Sequence, residues 1–254
     1  MTVRQADTPT FGLSHLRSDY GIILEFLKLV SERLQENNYY HMNSGFFITF
    51  EGTEGSGKTT QIHRLTEDLT KAEHRVKMTR EPGGTDIGDQ IRTILLDVDN
   101  SQLSPTSELM LYAASRAQHV GQKIIPALKT GGIVVSDRFA DASVAYQGYG
   151  RELDLTLIQQ LNTMATNGLQ PDLTFLLDLP IEIGLQRATT SRHNLDRIER
   201  ETLEFHRRVR TGYLAVAAAE PDRVQVVNAT QSVDEIYQQI WSITQVRLPT
   251  KALA

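Results

Sequence analysis

Apolar residues follow two rhythms along this chain. From Phe46 onward five short apolar runs, "FFITF", "RVKMT", "GIVVSD", "LTFLLDL" and "RVQVV", are separated by longer stretches in which apolar positions recur every three or four residues. Compact runs of this kind read as strands buried on both faces, as in a parallel sheet covered by helices. The stretches between them have helical period. In "SPTSELMLYAASRAQHVGQKIIPALKT" Ser104 is placed to cap the helix and Pro105 suits its first position, and in "SVDEIYQQIWSI" Ser232 and Glu235 have capping-box spacing. Alternating strands and helices predict one doubly wound parallel sheet with helices on both faces, a three-layer α/β/α fold.

Ahead of Phe46 the pattern differs. Residues 1–11 are polar and uneven, and "YGIILEFLKLVSERL" then places Ile22, Phe26, Leu29 and Val30 on one helical face before "QENNYYHMNSG" ends the period with turn-forming residues. A helical extension is therefore expected over residues 1–43, most simply a docking helix, followed by the main domain over residues 44–254. The chain contains no internal repeat and no low-complexity segment.

Composition narrows the chemistry. The 26 Lys and Arg against 31 Asp and Glu leave a net charge of −5, so no global positive field argues for nucleic acid or an anionic membrane surface, and an anionic ligand needs a local cluster. The chain has no cysteine, which excludes disulfides, thiolate metal sites and a cysteine nucleophile. Charged residues interrupt the N-terminal apolar positions, so neither a signal-peptide core nor a span of ~20 apolar residues is present, and a cytoplasmic location is expected.

The strongest motif lies in "FEGTEGSGKTTQ". Gly52, Thr53, Glu54, Gly55, Ser56, Gly57, Lys58 and Thr59 satisfy G-x-x-x-x-G-K-[ST], with Thr60 next, an apolar strand before and an amphipathic helix after. Glycines let the backbone wrap close so that N–H groups point inward. Lys58 is placed to reach the β- and γ-phosphates and Thr59 to hold Mg²⁺, while the helix directs its positive end at the anion. A nucleoside triphosphate with magnesium leaves three reaction classes open: a small-molecule kinase, a hydrolysing switch or motor, and an enzyme that activates carboxylates. The chain lacks an Asn-Lys-x-Asp segment, which argues against a guanine-reading switch. Arg80 in "KMTREPGGTDIG" and the Asp137-Arg138 pair in "VVSDRF" both follow apolar runs at strand ends, where ligands of open α/β sheets gather. Planar guanidinium forks grip phosphate oxygens with paired bonds.

With "EGTEGSGKTTQ", "TREPGGT", "YAASRAQH", "SDRFADASVAYQG" and "DRIERETLEFHRRVRTGYL" in this order, the chain resembles bacterial thymidylate kinases over roughly residues 45–245. The resemblance implies a P-loop kinase-like fold with a five-stranded parallel sheet, and transfer of the γ-phosphoryl group of Mg·ATP to dTMP. It implies that Arg80 and Arg138 hold the acceptor phosphate, that Asp137 lies near magnesium, and that Glu54 lies near the acceptor's sugar and phosphate. Tyr112 is expected to stack on thymine, Arg116 to address the base edge, and Ser143 and Gln147 to lie at the base as well. Tyr112 stands where phenylalanine is common and Ser115 where an acid is common.

The loop residues Thr53 to Ser56 include no arginine, and relatives of that type supply catalytic arginine from a lid. A lid is therefore expected near residues 188–198, with Arg192 the first candidate and Arg197 the second. In this polar segment i,i+4 pairs are also expected between Arg197 and Glu201 and between Glu204 and Arg208. The resemblance further implies a homodimer, and adenine contacts near the Asn228–Gln231 loop. Residues 1–43 have no counterpart in the family's common length, so a docking helix, a regulatory element and translation starting at Met42 all stay open. A kinase for another nucleoside monophosphate is the nearest alternative. A nucleotide-binding module without turnover fits less well, because Asp137, Arg138 and the lid arginines are intact, and a carboxylate-activating enzyme has no evident use for Tyr112 and Gln147 together.

Overall fold

The computed structural model describes residues 45–191 and 195–249. The extension expected over 1–43 and the lid candidate Arg192 lie outside the described residues. All five expected strands form: β1 (Phe46–Glu51), β2 (Val76–Arg80), β3 (Ile133–Asp137), β4 (Leu173–Asp178) and β5 (Val224–Asn228). They make one parallel sheet in the order β2-β3-β1-β4-β5. The chain therefore leaves β1 toward one edge and later returns to its other side. In open α/β sheets the crevice at such a reversal, beyond the strands' carboxyl ends, is where ligands bind.

Helices fill the intervals: α1 (Lys58–Lys71), α2 (Asp86–Leu96), α3 (Pro105–His119), α4 (Ile125–Lys129), α5 (Ala140–Ser143), α6 (Leu155–Thr166), α7 (Ile181–Ser191), α8 (Leu203–Ala219) and α9 (Val233–Arg247). A π-helical turn over Val120–Ile124 joins α3 to α4, and a second over Val144–Gly150 extends α5. The caps form as their spacing requires. Ser104 Oγ accepts the Ser107 N–H at 3.2 Å with Pro105 in first position, and Ser232 and Glu235 exchange both capping-box bonds.

Alternation of side chains along a strand divides the core into two layers. Ile48, Phe50, Val135 and Phe175 pack with Ile62 and Leu65 of α1 and Ile240 of α9. Phe47 and Val134 face the other way, against Val120 and Ile124, while Leu176 meets Phe205 and Val209 of α8. The inner strands β1 and β4 are buried on both faces as their unbroken apolar runs demand. β2 and β5 depart from that expectation. They are the sheet's edges and are only partly covered, with Met78 43% exposed and Val226 50% exposed.

Candidate active site

The turn after β1 is shaped by three glycines at positive φ, Gly52, Gly55 and Gly57. Gly52 has φ 133° and Gly55 φ 71°. A Cβ at Gly55 would lie 2.2 Å from the Gly184 carbonyl oxygen of α7, so only glycine lets the turn and that helix approach. Lys58, opening α1, folds its ammonium back across the loop and donates to the Gly52 and Thr53 carbonyls at 2.8 and 2.9 Å. Burial and the neighbouring Arg138 push its pKa down to about 8. A cation held so close to its neutral form gains much from an arriving phosphate.

Parallel register places the ends of β2, β3 and β1 side by side, with Asp137 opposite both Arg80 and Phe50. Arg138 follows with φ 71°, unusual for a residue with a side chain, and its N–H donates to the Phe50 carbonyl at 2.9 Å. This twist sends the guanidinium over the loop. Nη1 donates to the Gly52 carbonyl at 3.0 Å and the Tyr213 hydroxyl at 2.8 Å, and Nη2 donates to Glu54 Oε1 at 2.7 Å. Glu54 also accepts from the Tyr146 hydroxyl at 2.7 and 2.9 Å, with His206 Nδ1 3.8 Å away. Burial alone would raise the Glu54 carboxyl, but Arg138, Lys58, the Tyr146 hydroxyl and His206 outweigh it and hold it below the ordinary range.

These groups border a cavity of about 380 Å³, within the size range of small-molecule sites. Its floor is Glu54 to Thr60, its centre holds Asp137 and Arg138, and its far wall carries Arg80, Tyr112, Ser143 and Gln147. Gly52 and Thr53 stand just beneath, as the carbonyls that hold Lys58. Arg80 pairs with Asp89 at 2.9 Å while half of its side chain stays exposed.

Three sequence candidates stand elsewhere or undescribed. Arg116 does not reach the cavity surface: it is 2% exposed and donates to Glu81, Ser143, Asn162 and the Phe139 carbonyl. Arg197 donates to Glu108 at 2.7 Å and to the Leu95 carbonyl at 2.8 Å. Arg192 lies outside the described residues. The expected i,i+4 pairs do not form either. Residues 197–200 make a turn and not a helix, and Glu201 pairs with Arg151 instead; Glu204 and Arg208 do share α8, but Arg208 donates to the Tyr149 and Gly150 carbonyls.

The cavity also collects residues that sequence reasoning passed over. Glu81, Arg92, Tyr146 and Arg187 all line it. Arg92 donates to the Pro82 carbonyl at 3.0 Å, and Arg187 reaches the Ala229 carbonyl at 3.4 Å. Behind the loop, Glu51 accepts from the Phe139 N–H at 2.7 Å and the Tyr213 hydroxyl at 2.8 Å. Burial, reinforced by Asp141, pushes its carboxyl up to about 8. A glutamate closing the otherwise apolar run "FFITFE" was the available signal for Glu51. Tyr146 sat between two quoted candidates in "SVAYQG", and Arg92 had no local mark at all.

The residues present suit magnesium. The Thr59 hydroxyl and Asp137 carboxylate line the cavity and make no hydrogen bond or salt bridge among the described residues. Both offer hard oxygen donors, and magnesium usually takes one or two protein ligands alongside substrate phosphates. No cluster of three or more His, Cys, Asp or Glu side chains that could hold a metal occurs among the described residues. Nor is any described helix long and apolar enough to cross a membrane.

Comparison with known proteins gives the family of the chain. The thymidylate kinase family profile matches residues 50–240. Thymidylate kinase of Citrifermentans bemidjiense is 56% identical over 194 residues, covering 74% of this chain and 86% of that protein. The enzyme of Geobacter sulfurreducens is 50% identical over 212 residues, covering 82% of this chain and 100% of its own. The crystal structure of thymidylate kinase from Ehrlichia chaffeensis superposes with a TM-score of 0.65 at 34% identity, over 79% of this chain and 98% of that one. A profile match across most of the chain, together with half-identical relatives covered nearly end to end, means that this chain belongs to the thymidylate kinase family.

Proposed function

We propose that the chain phosphorylates dTMP to dTDP with ATP as donor, and that the residues around the cavity beside the phosphate loop divide that task as follows. The carrying observation is the meeting of a phosphate-binding loop with Arg80, Arg92 and Arg138 and a wall of Tyr112, Ser143 and Gln147 in one cavity. The loop amides and Lys58 take the donor phosphates, and Arg187 borders the same loop through the contact of α7 with Gly55. The arginines take the acceptor phosphate, and Tyr112 stacks on the base. Transfer is in line, without a covalent intermediate, so catalysis is mainly positioning and charge neutralisation.

Glu54 is suited to aligning Arg138, since its carboxylate fixes one arm of the guanidinium while the Gly52 carbonyl and Tyr213 fix the other. Thr59 and Asp137 hold Mg²⁺, which supplies neutralising charge to the bound phosphates. For the lid over 188–198, Arg192 is the proposed catalytic arginine. Arg197 is already committed to Glu108 and the Leu95 carbonyl, which favours a positioning role for it.

A homodimer is proposed as well, and exposed Ile87 and Ile94 on α2 with Met110 on α3 offer apolar surface for it. Sedimentation velocity tests that assembly. A cytoplasmic location is proposed from the substrates, both cytoplasmic metabolites. The decisive assay is ADP release from Mg·ATP with dTMP, dUMP, CMP, UMP, AMP, GMP or no acceptor. Strong dependence on dTMP is expected, and equal release with and without acceptor would overturn the reading.

A further inference from the structure

Glu108 of α3 is a fully buried carboxylate that phosphoryl transfer, as described, does not use. Three side chains converge on it. Its Oε1 accepts from Gln147 Nε2 at 2.9 Å and Arg151 Nε at 3.2 Å, and its Oε2 accepts from Arg151 Nη2 at 3.0 Å and Arg197 Nη2 at 2.7 Å. Burial works to raise its carboxyl, but Arg151, Gln147 and Arg197 outweigh burial and hold it below the ordinary range. Glu108 is therefore ionised at neutral pH.

An ionised carboxylate only accepts hydrogen bonds. An amide beside it has one favourable orientation, nitrogen toward the carboxylate, because the reverse sets oxygen against oxygen in a buried place. Gln147 lies on the cavity wall, and its Oε1 has no hydrogen-bond partner among the described residues. The group left for a ligand is a carbonyl acceptor. Thymine and uracil carry a donor at N3, whereas cytosine carries a bare acceptor there.

We propose that Glu108 is a positioning residue for base selection: it locks the Gln147 amide so that an acceptor meets the pyrimidine N3–H, and cytosine is thereby rejected. The inference rests on the dTMP reading and names the residue that sets its selectivity. Glu108 also ties the base wall to the turn at Arg197, so the same carboxylate braces both.

The test is the ratio of kcat/KM for dTMP to that for dCMP, measured on one preparation so that the folded fraction cancels. Glu108→Gln offers both a donor and an acceptor and frees the amide to turn. The ratio should fall about tenfold or more, since a site that hydrogen-bonds its substrate discriminates through partners left unpaired by the wrong one. In a Gln147→Leu background the same substitution should leave the ratio within about twofold, because no amide remains to be oriented. Equal losses for both nucleotides, or the same change of ratio in both backgrounds, overturn the proposal and leave Glu108 as an anchor only. If E108Q does not fold, Glu108→Asp, which withdraws the carboxylate by one carbon, is read in the same two backgrounds with the same expectation and the same overturning results. Failure of the wild-type protein to phosphorylate dTMP would instead sink the underlying reading, whatever the ratios.

Discussion

Replacing Arg116 by Met separates a scaffold role from contact with the base. Nε of Arg116 donates to Glu81 Oε2 at 2.8 Å, Nη1 to Ser143 at 2.9 Å and Asn162 at 2.7 Å, and Nη2 to the Phe139 carbonyl at 3.0 Å. Methionine keeps much of the volume and none of the donors. Among the described residues Glu81 would retain only His119, at 2.9 Å, beside its carboxylate. Breaking a buried ion pair from one side costs about 3–5 kcal/mol, because the charge left behind has no compensation. Set against a total stability of roughly 5–15 kcal/mol, that is a large share. For a chain of this size the loss corresponds to a fall in Tm of roughly 6–20 °C.

If the uncompensated carboxylate is the main cost, the double variant R116M/E81Q should regain about 2 kcal/mol or more over R116M. Urea unfolding and thermal melts of both variants measure this, alongside KM for dTMP. A Tm within about 2 °C of wild type, combined with a KM for dTMP raised about tenfold, would refute the scaffold reasoning and return Arg116 to direct contact with the base.

Lys58→Ala should nearly abolish turnover, and near-normal activity would remove the loop from the mechanism. Because Lys58 sits at about 8 in the free protein and phosphate favours its charged form, ATP binding above that pH should take up a proton and weaken by about tenfold between pH 7 and 9; calorimetry in buffers of different ionisation heat reads the uptake, and a pH-independent affinity counts against the assignment. Glu51 holds its proton up to about 8 in the folded chain against 4.5 ordinarily, so the native state binds more protons than the unfolded one and stability should fall as pH rises from 4.5 to 8, then level off. Glu51→Gln, which cannot ionise, should flatten that slope in urea titrations at pH 6 and 8.5, and an unchanged slope would place the effect elsewhere. Arg192→Ala should lower kcat more than dTMP affinity, and an unchanged kcat would move the lid role to another arginine.

The five strands, the capped ends of α3 and α9 and the phosphate loop were legible because each is written in neighbouring residues. Apolar period decides which face a segment buries, a serine three residues before a backbone N–H can cap it, and the loop's glycines precede the lysine they serve. Strand-end placement likewise brought Arg80, Asp137 and Arg138 together correctly, since parallel register follows from where the apolar runs stop. What the chain order did not disclose is where long polar side chains find their partners. Glu54 meets Tyr146 across 92 positions, Glu108 meets Arg197 across 89, and Arg116 is buried behind the cavity wall on Glu81, 35 residues back. The edge position of β2 left only a weak mark, Lys77 and Thr79 within Val76–Arg80, and strand order decides what covers that strand. Local hydrogen bonds and facial period are properties of adjacent residues, so sequence alone determined them. The partner of a buried charge is whichever group the packed layers bring within about 3 Å, and only the tertiary structure decides that.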